Sequence, residues 1–165
     1  MNLLEKFFKP DKSFNSILEI KTLDFESRKI KGIIFDLDDT ITPLNTLEIP
    51  EDIIMWFKNI TQKFKVYIVS NTHDIDRVRK ISEILNISGI ANAKKPRVKF
   101  IKQVIKDMNL NYEEVVIIGD RVFTDIYCGK KLGLKTFLVE PLSDRASFII
   151  RWLRKIERGI IKIKI

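Results

Sequence analysis

The sequence predicts an α/β fold: three layers, with a central, mostly parallel sheet of five strands and helices on both of its faces. Two patterns carry that expectation. Short apolar runs of strand length recur along the chain, and amphipathic stretches of helix length separate them. Strand alternating with helix five times is the pattern of an open parallel sheet. In such sheets ligands sit beyond the carboxyl ends of the strands, where the strand order reverses.

Taken in order, the strands are expected at Ile33-Ile34-Phe35, Val66-Tyr67-Ile68-Val69, a weaker run around Gly89-Ile90-Ala91, Val115-Val116-Ile117-Ile118 and Thr136-Phe137-Leu138-Val139. Helices are expected over Glu51 to Lys63, opened by Pro50, and over Asp74 to Leu85, Arg97 to Met108 and Thr124 to Leu132. Gly133 suits the C-cap of the last of these. Residues 1–29 read as a helical N-terminal segment, 30–140 as the core and 144–165 as a basic amphipathic segment, all in one domain spanning 1–165. Met55, Met108 and Cys128 read as core fillers.

Composition narrows the function classes. A chain of 165 residues, 45% hydrophobic and 32% charged, buries enough surface to fold without disulfides. One cysteine, Cys128, excludes an internal disulfide and a cysteine-based zinc site, and favours a reducing, cytoplasmic setting. The net charge of +8 and the pI of about 9.5 point to an anionic partner: a phosphate ester, a nucleic acid or an anionic membrane surface. No apolar run approaches the ~18 residues of a membrane span. Met1 to Lys12 has only the pairs Leu3-Leu4 and Phe7-Phe8 and lacks the apolar core of a signal peptide.

Chemistry gathers at four strand ends. Asp36-Leu37-Asp38-Asp39-Thr40 crowds three carboxylates at the end of a buried strand. Like charges this close repel unless a cation sits among them. A solvated, helix-capping acidic turn is the bland alternative. A calcium loop is not, because its sixth and twelfth positions would be Ile41 and Leu47 in place of Gly and Glu. Ser70-Asn71-Thr72 offers a hydroxyl and backbone N–H groups at a helix start, a ready anion site and equally an ordinary helix cap. Lys94-Lys95-Pro96 brings a point charge. Gly119-Asp120-Arg121-Val122-Phe123-Thr124-Asp125 brings two more carboxylates, which an N-cap at Thr124 or Asp125 would also explain. Acids, hydroxyl, lysine and acids at successive strand ends would converge on one crevice, and that conjunction outweighs each alternative taken alone.

This constellation resembles the haloacid-dehalogenase (HAD) superfamily. Its D-x-D-x-T motif is matched by Asp36 to Thr40, its second-strand Ser or Thr by Ser70, its Lys before Pro by Lys95, and its G-D-x-x-x-x-D motif by Gly119, Asp120 and Asp125. The match is closer to the capless class IIIA phosphatases of the YqeG type, similar to the mitochondrial phosphatidylglycerophosphate phosphatases. Pro10-Asp11 before an early helix, Ala93 to Pro96 and Leu132-Gly133-Leu134 support it. Asp39 departs from the Asn usual in that family, and Thr72-His73 from an Asn-rich turn.

The resemblance implies a Rossmann-like HAD fold without a cap and a Mg²⁺-dependent phosphomonoesterase. Asp36 would be the nucleophile that forms an aspartyl-phosphate, and Asp38 the general acid and base. Mg²⁺ would be held by Asp36, Asp120 and the backbone carbonyl of Asp38. Lys95, Ser70 and the N–H of Asn71 would bind phosphoryl oxygens. Thr40 would complete the phosphate-binding loop, and Asp125 would support Lys95 or a metal-bound water. No P-loop and no serine elbow competes with this assignment.

Only 34 positions separate Asp36 from Ser70 and 25 separate Ser70 from Lys95, so neither interval holds a cap domain. An open site suits a large substrate. The C-terminal segment is basic, with Ile149, Trp152, Leu153, Ile156 and Ile160 at helical spacing, and fits either an anionic bilayer or the domain surface. Ile160 to Ile165 also alternates like an edge strand. The expected activity is dephosphorylation of phosphatidylglycerophosphate, by a cytoplasmic protein able to contact the inner face of the membrane. The alternatives are a sugar phosphate, a nucleic-acid 3′-phosphate and a non-catalytic phosphate-binding module; oligomeric state is left open.

Overall fold

The computed structural model describes residues 3–143 and 148–162. Helices α1 (Leu3–Phe8) and α2 (Thr22–Glu26) flank strand β1 (Lys12–Phe14). Then come β2 (Gly32–Phe35), α3 (Glu51–Ile60), β3 (Lys65–Val69), α4 (Ile75–Leu85), β4 (Ser88–Ile90), α5 (Lys99–Asp107), β5 (Val115–Gly119), α6 (Tyr127–Leu132), β6 (Lys135–Val139) and α7 (Phe148–Lys162). All strand pairs are parallel, in the order β1-β6-β5-β2-β3-β4. The order reverses between β2 and β5, the two strands that end in Asp36 and in Gly119-Asp120.

Those two strands, Gly-Ile-Ile-Phe and Val-Val-Ile-Ile-Gly, are buried at every residue. A strand covered on both faces needs no polar alternation, which is why they read as continuous apolar runs. Ile33 and Phe35 of β2 with Val116 and Ile118 of β5 face a core completed by α2, α3 and α4 through Phe25, Phe57 and Ile81. Ile34, Val115 and Ile117 face the opposite core, completed by Ile101, Val104 and Ile105 of α5 and by Cys128. The three layers follow from that alternation.

The sheet has six strands, one more than the five expected. The extra strand, β1, lies in the N-terminal segment read as helical. It has three residues and follows Pro10-Asp11, so that pair precedes a strand and not a helix. Three residues carry no periodicity; β1 is held by its neighbour. Asp11 accepts from the Thr136 N–H (2.8 Å) and Oγ1 (2.9 Å) and pairs with Lys130 (2.9 Å). Phe7 and Phe8 pack on Tyr127, and Phe14 on Phe137, so these aromatics join the core layers.

Three further readings are corrected. Met55 is exposed, on the outer face of α3. Residues 122–126 form a wide π-type turn before α6 in place of a regular helix from Thr124. Ile160, Ile161 and Lys162 continue α7, against an edge strand there; residues 163–165 lie outside the described residues. Gly133 does cap α6, at φ +77°.

Asp11 yields a test. Burial pushes its carboxyl up, but hydrogen bonds from Lys130 and Thr136 outweigh that and hold it below its ordinary 3.8. Its contribution is therefore present above the ordinary carboxyl range and lost as pH falls through the lowered value. Asp11→Ala is expected to cost about 1–2 kcal/mol in urea melts at pH 7, and progressively less below pH 4.

Candidate active site

The carboxyl ends of β2, β3 and β5 and the loop after β4 bring the predicted residues together. Asp36 continues β2, its N–H donating to the Ile118 carbonyl at 2.9 Å. The Lys95 ammonium lies between two carboxylates, 2.7 Å from Asp36 Oδ1 and 2.6 Å from Asp125 Oδ1, and is buried with both. A buried ammonium survives only if paired and hydrogen-bonded. Burial, the largest influence, pushes Lys95 down; Asp125 and Asp36 together outweigh it and raise the group, so it stays charged.

The positions of these groups are enforced locally. Asn71 clasps the Lys95 backbone: its Oδ1 accepts from the Lys95 N–H at 2.7 Å, and its Nδ2 donates to the Lys95 carbonyl at 2.9 Å. Sequence reasoning gave Asn71 only a backbone role. The wide turn at 122–126 brings Asp125 back over Gly119. A Cβ on Gly119 would stand 2.3 Å from Asp125 Oδ2 and 2.4 Å from its Cγ, so this strand end admits glycine alone. Asp125 Oδ2 also accepts from the Arg121 N–H at 3.2 Å.

Asp36, Asp120 and Asp125 each present an oxygen within 4.8 Å of the others. Burial pushes Asp36 up to about 6, with Lys95 opposing and Asp125 and Asp38 adding to the rise. Burial likewise pushes Asp120 up to about 8, reinforced by Asp36 and Asp125 and opposed by Arg154 and Arg121. Asp120 Oδ2 is buried without an aligned hydrogen bond, its cationic neighbour being the Arg154 guanidinium. Three hard oxygen donors with too few cations fit a divalent ion such as Mg²⁺.

Asp36, Asp38, Ser70, Asn71, Thr72, Lys95, Arg121 and Thr124 line a cavity of about 100 Å³. The Ser70 hydroxyl accepts from the Thr72 N–H at 3.2 Å, which leaves its own proton free to donate. Thr40 is buried below the first loop, outside that lining, and its hydroxyl has no partner. A larger groove of about 950 Å³ runs along α4 and β4 and shares no lining residue with this cavity.

Two arginines were invisible in the sequence. Arg77 of α4 is buried and grips Asp38 through both terminal nitrogens, while its Nε donates to the Thr46 carbonyl at 2.8 Å. Asp38 also accepts from the Asn45 N–H at 3.1 Å. Arg154 reaches in from α7 to Asp39 and Asp120, at 2.7 and 2.5 Å. Neither belongs to a motif, and both reach the site only through the packing of helices, so no local signal announces them. His73 is exposed.

An acidic loop, a hydroxyl, a buried lysine and a second acidic loop at the switch point of a parallel sheet define a HAD-type phosphatase. The chain belongs to the family described as mitochondrial PGP phosphatase, whose model matches residues 3–143. It is 37% identical over 160 residues to the probable phosphatase YqeG of Bacillus subtilis, covering 96% of this chain and 92% of that one. It is 28% identical to phosphatidylglycerophosphate phosphatase 1, chloroplastic/mitochondrial, of Arabidopsis thaliana, over 89% of this chain and 46% of that longer protein. A predicted HAD-like hydrolase from Porphyromonas gingivalis shares the fold, with a TM-score of 0.54 at 14% identity, over 76% of this chain and 98% of that one.

The clasp on Lys95 can be tested apart from the chemistry. Asn71→Ala removes two hydrogen bonds to the lysine backbone. It is expected to lower kcat for p-nitrophenyl phosphate about 10- to 100-fold with an almost unchanged melting temperature; unchanged kcat would show that Lys95 needs no clasp.

Proposed function

We propose that this phosphatase is Mg²⁺-dependent, works through an aspartyl-phosphate on Asp36, and removes the terminal phosphate of phosphatidylglycerophosphate. The observation that carries the mechanism is the Asp36 carboxylate beside a phosphate-sized polar cavity, braced by the buried Lys95. Asp36 attacks phosphorus as the bond to the leaving oxygen breaks. Asp38, aimed by Arg77 and the Asn45 N–H, protonates that leaving alkoxide and then takes a proton from the attacking water. Phosphate departs and the Asp36 carboxylate is restored. Lys95, the Ser70 hydroxyl and the Asn71 N–H hold the equatorial oxygens, where charge is greatest in the transition state. Asp36, Asp120 and the Asp38 carbonyl would hold Mg²⁺, with Asp125 close by; the ion supplies charge neutralisation for an anionic nucleophile meeting an anionic phosphate.

The lipid substrate is supported by the family to which the chain belongs, by the phosphatidylglycerophosphate phosphatase of the plant relative, and by the surface around α7. The whole chain would act as one domain, with α7 closing its C-terminal side. That helix meets the domain with Arg154, Glu157 and Arg158 and turns Trp152 and Ile156 outward, beside the exposed Arg151 and Lys155. Of the two orientations left open by the sequence, this one leaves those two residues free of the domain surface. For Ile149 and Ile160 the helix is described and the side chains are not. Trp152 is 56% exposed. An outward apolar pair within a basic rim suits an anionic bilayer. No described helix is long and apolar enough to cross a membrane, so the contact would be peripheral.

Phosphate release would be measured from phosphatidylglycerophosphate in mixed micelles, beside sugar phosphates and 3′-phosphorylated DNA. A strong lipid preference that requires Mg²⁺ and disappears in Asp36→Asn is expected. Activity dependent on Asp36 without that preference would discard the lipid, and full activity in Asp36→Asn would discard the mechanism. Trp152→Glu should lower co-sedimentation with phosphatidylglycerol vesicles while leaving hydrolysis of p-nitrophenyl phosphate intact; unchanged co-sedimentation would remove α7 from the membrane contact.

A further inference from the structure

Arg154 lies on α7, beyond the last sequence motif and beyond the segment matched by the family model. Its Nη2 serves two carboxylates at once, 2.7 Å from Asp39 Oδ2 and 2.5 Å from Asp120 Oδ2, and both acids are essentially inaccessible to solvent. Asp39 is the third acid of the first loop and is fully buried. Its other oxygen accepts from the Ser143 hydroxyl at 2.5 Å and the Leu44 N–H at 3.2 Å. On the next turn of α7, buried Glu157 pairs with Arg121 at 3.1 Å and accepts from the Phe123 N–H at 3.3 Å. The loop that carries Asp120 and Asp125 is thus fastened to α7 at two points.

The charges around the site discriminate between roles. Asp36, Asp39, Asp120 and Asp125 face two cations, Lys95 and Arg154. In the substrate-free site, before Asp38 takes up the proton it later donates, Arg77 with Asp38 and Arg121 with Glu157 form self-balanced pairs. The remainder is two negative charges, which one divalent ion neutralises. Arg154 is therefore part of a site that balances with the ion bound, not a substitute that the ion must displace. Groups that hold the free oxygen of a ligating carboxylate orient its other oxygen toward the metal.

We propose that Arg154 is a positioning residue for Asp120: it holds one carboxylate oxygen, presents the other to the divalent ion, and neutralises the extra acid Asp39. The inference rests on the metal-dependent reading given above. It makes α7 part of the active site, linked to ion binding by thermodynamic reciprocity. The sign of the effect is diagnostic. A cation that acted only by repulsion would weaken Mg²⁺ binding, so its removal would tighten it. A positioning residue does the opposite.

The test is calorimetric titration of Mg²⁺ into the full chain, for wild type, Arg154→Gln, Arg154→Lys and Arg158→Ala. The last variant breaks contacts of α7 with the Val139 carbonyl and Glu140 while sparing Asp120. Arg154→Gln should weaken Mg²⁺ affinity about tenfold or more. Arg154→Lys should restore part of it, and Arg158→Ala should stay within about twofold of wild type. With p-nitrophenyl phosphate, the kcat of Arg154→Gln should recover as Mg²⁺ is raised. Equal or tighter Mg²⁺ binding in Arg154→Gln overturns the proposal, as does an equal loss in Arg158→Ala, which would trace the effect to helix docking alone. Should Arg154→Gln fail to fold, the lysine variant decides: wild-type affinity there overturns the specific role of the guanidinium. A wild type that binds no Mg²⁺ overturns the metal-dependent reading and this inference with it.

Discussion

One buried ion triad governs the rest of the site: the Lys95 ammonium between the carboxylates of Asp36 and Asp125. Placing three charged groups where solvent is absent costs several kcal/mol per group unless geometry returns it. The fold supplies that geometry from four elements. β2 delivers Asp36, the turn after β5 returns Asp125 over Gly119, the loop after β4 delivers Lys95, and Asn71 at the end of β3 locks the lysine backbone. Removing one member leaves its partners as uncompensated buried charge, a larger penalty than the pair's own worth.

The same burial explains why the acids favour a divalent ion. Asp36 and Asp120 are pushed up to about 6 and 8 because desolvation and neighbouring carboxylates disfavour their charged forms. A hard dication returns them to the ionised state that attack on phosphorus requires. Helix α7 covers one rim of the acidic cluster with Arg154 and leaves the polar cavity open beside Arg121 and Thr124.

The strands and the four site segments were legible because both are local. A strand buried on two faces is a continuous apolar run, and the chemistry at its end is adjacent in sequence. β1 was not legible, since three residues have no period and its place comes from Asp11 and Thr136, 125 positions apart. Arg77 and Arg154 were missed for the same reason: an arginine on a helix looks solvated until the helix is packed. The periodicity of α7 was read correctly as a helix, but periodicity cannot say which face turns inward. Arg154 and Glu157 take the inward positions in ion pairs with Asp39, Asp120 and Arg121, while Trp152 and Ile156 turn outward. Asn71 illustrates a subtler case, where the residue was singled out and its side chain's task, clasping Lys95, appears only in three dimensions.

The proposed chemistry stands or falls on Asp36 carrying the phosphoryl group. The most direct measurement is peptide mass spectrometry after acid quench of the protein turning over with Mg²⁺ and a phosphate monoester, with borohydride reduction to mark any acyl phosphate. Reduction confined to Asp36, and dependent on Mg²⁺ and substrate, is the predicted result. A mark on another residue, or none under conditions where phosphate is released, would contradict it and move the chemistry to direct attack by water.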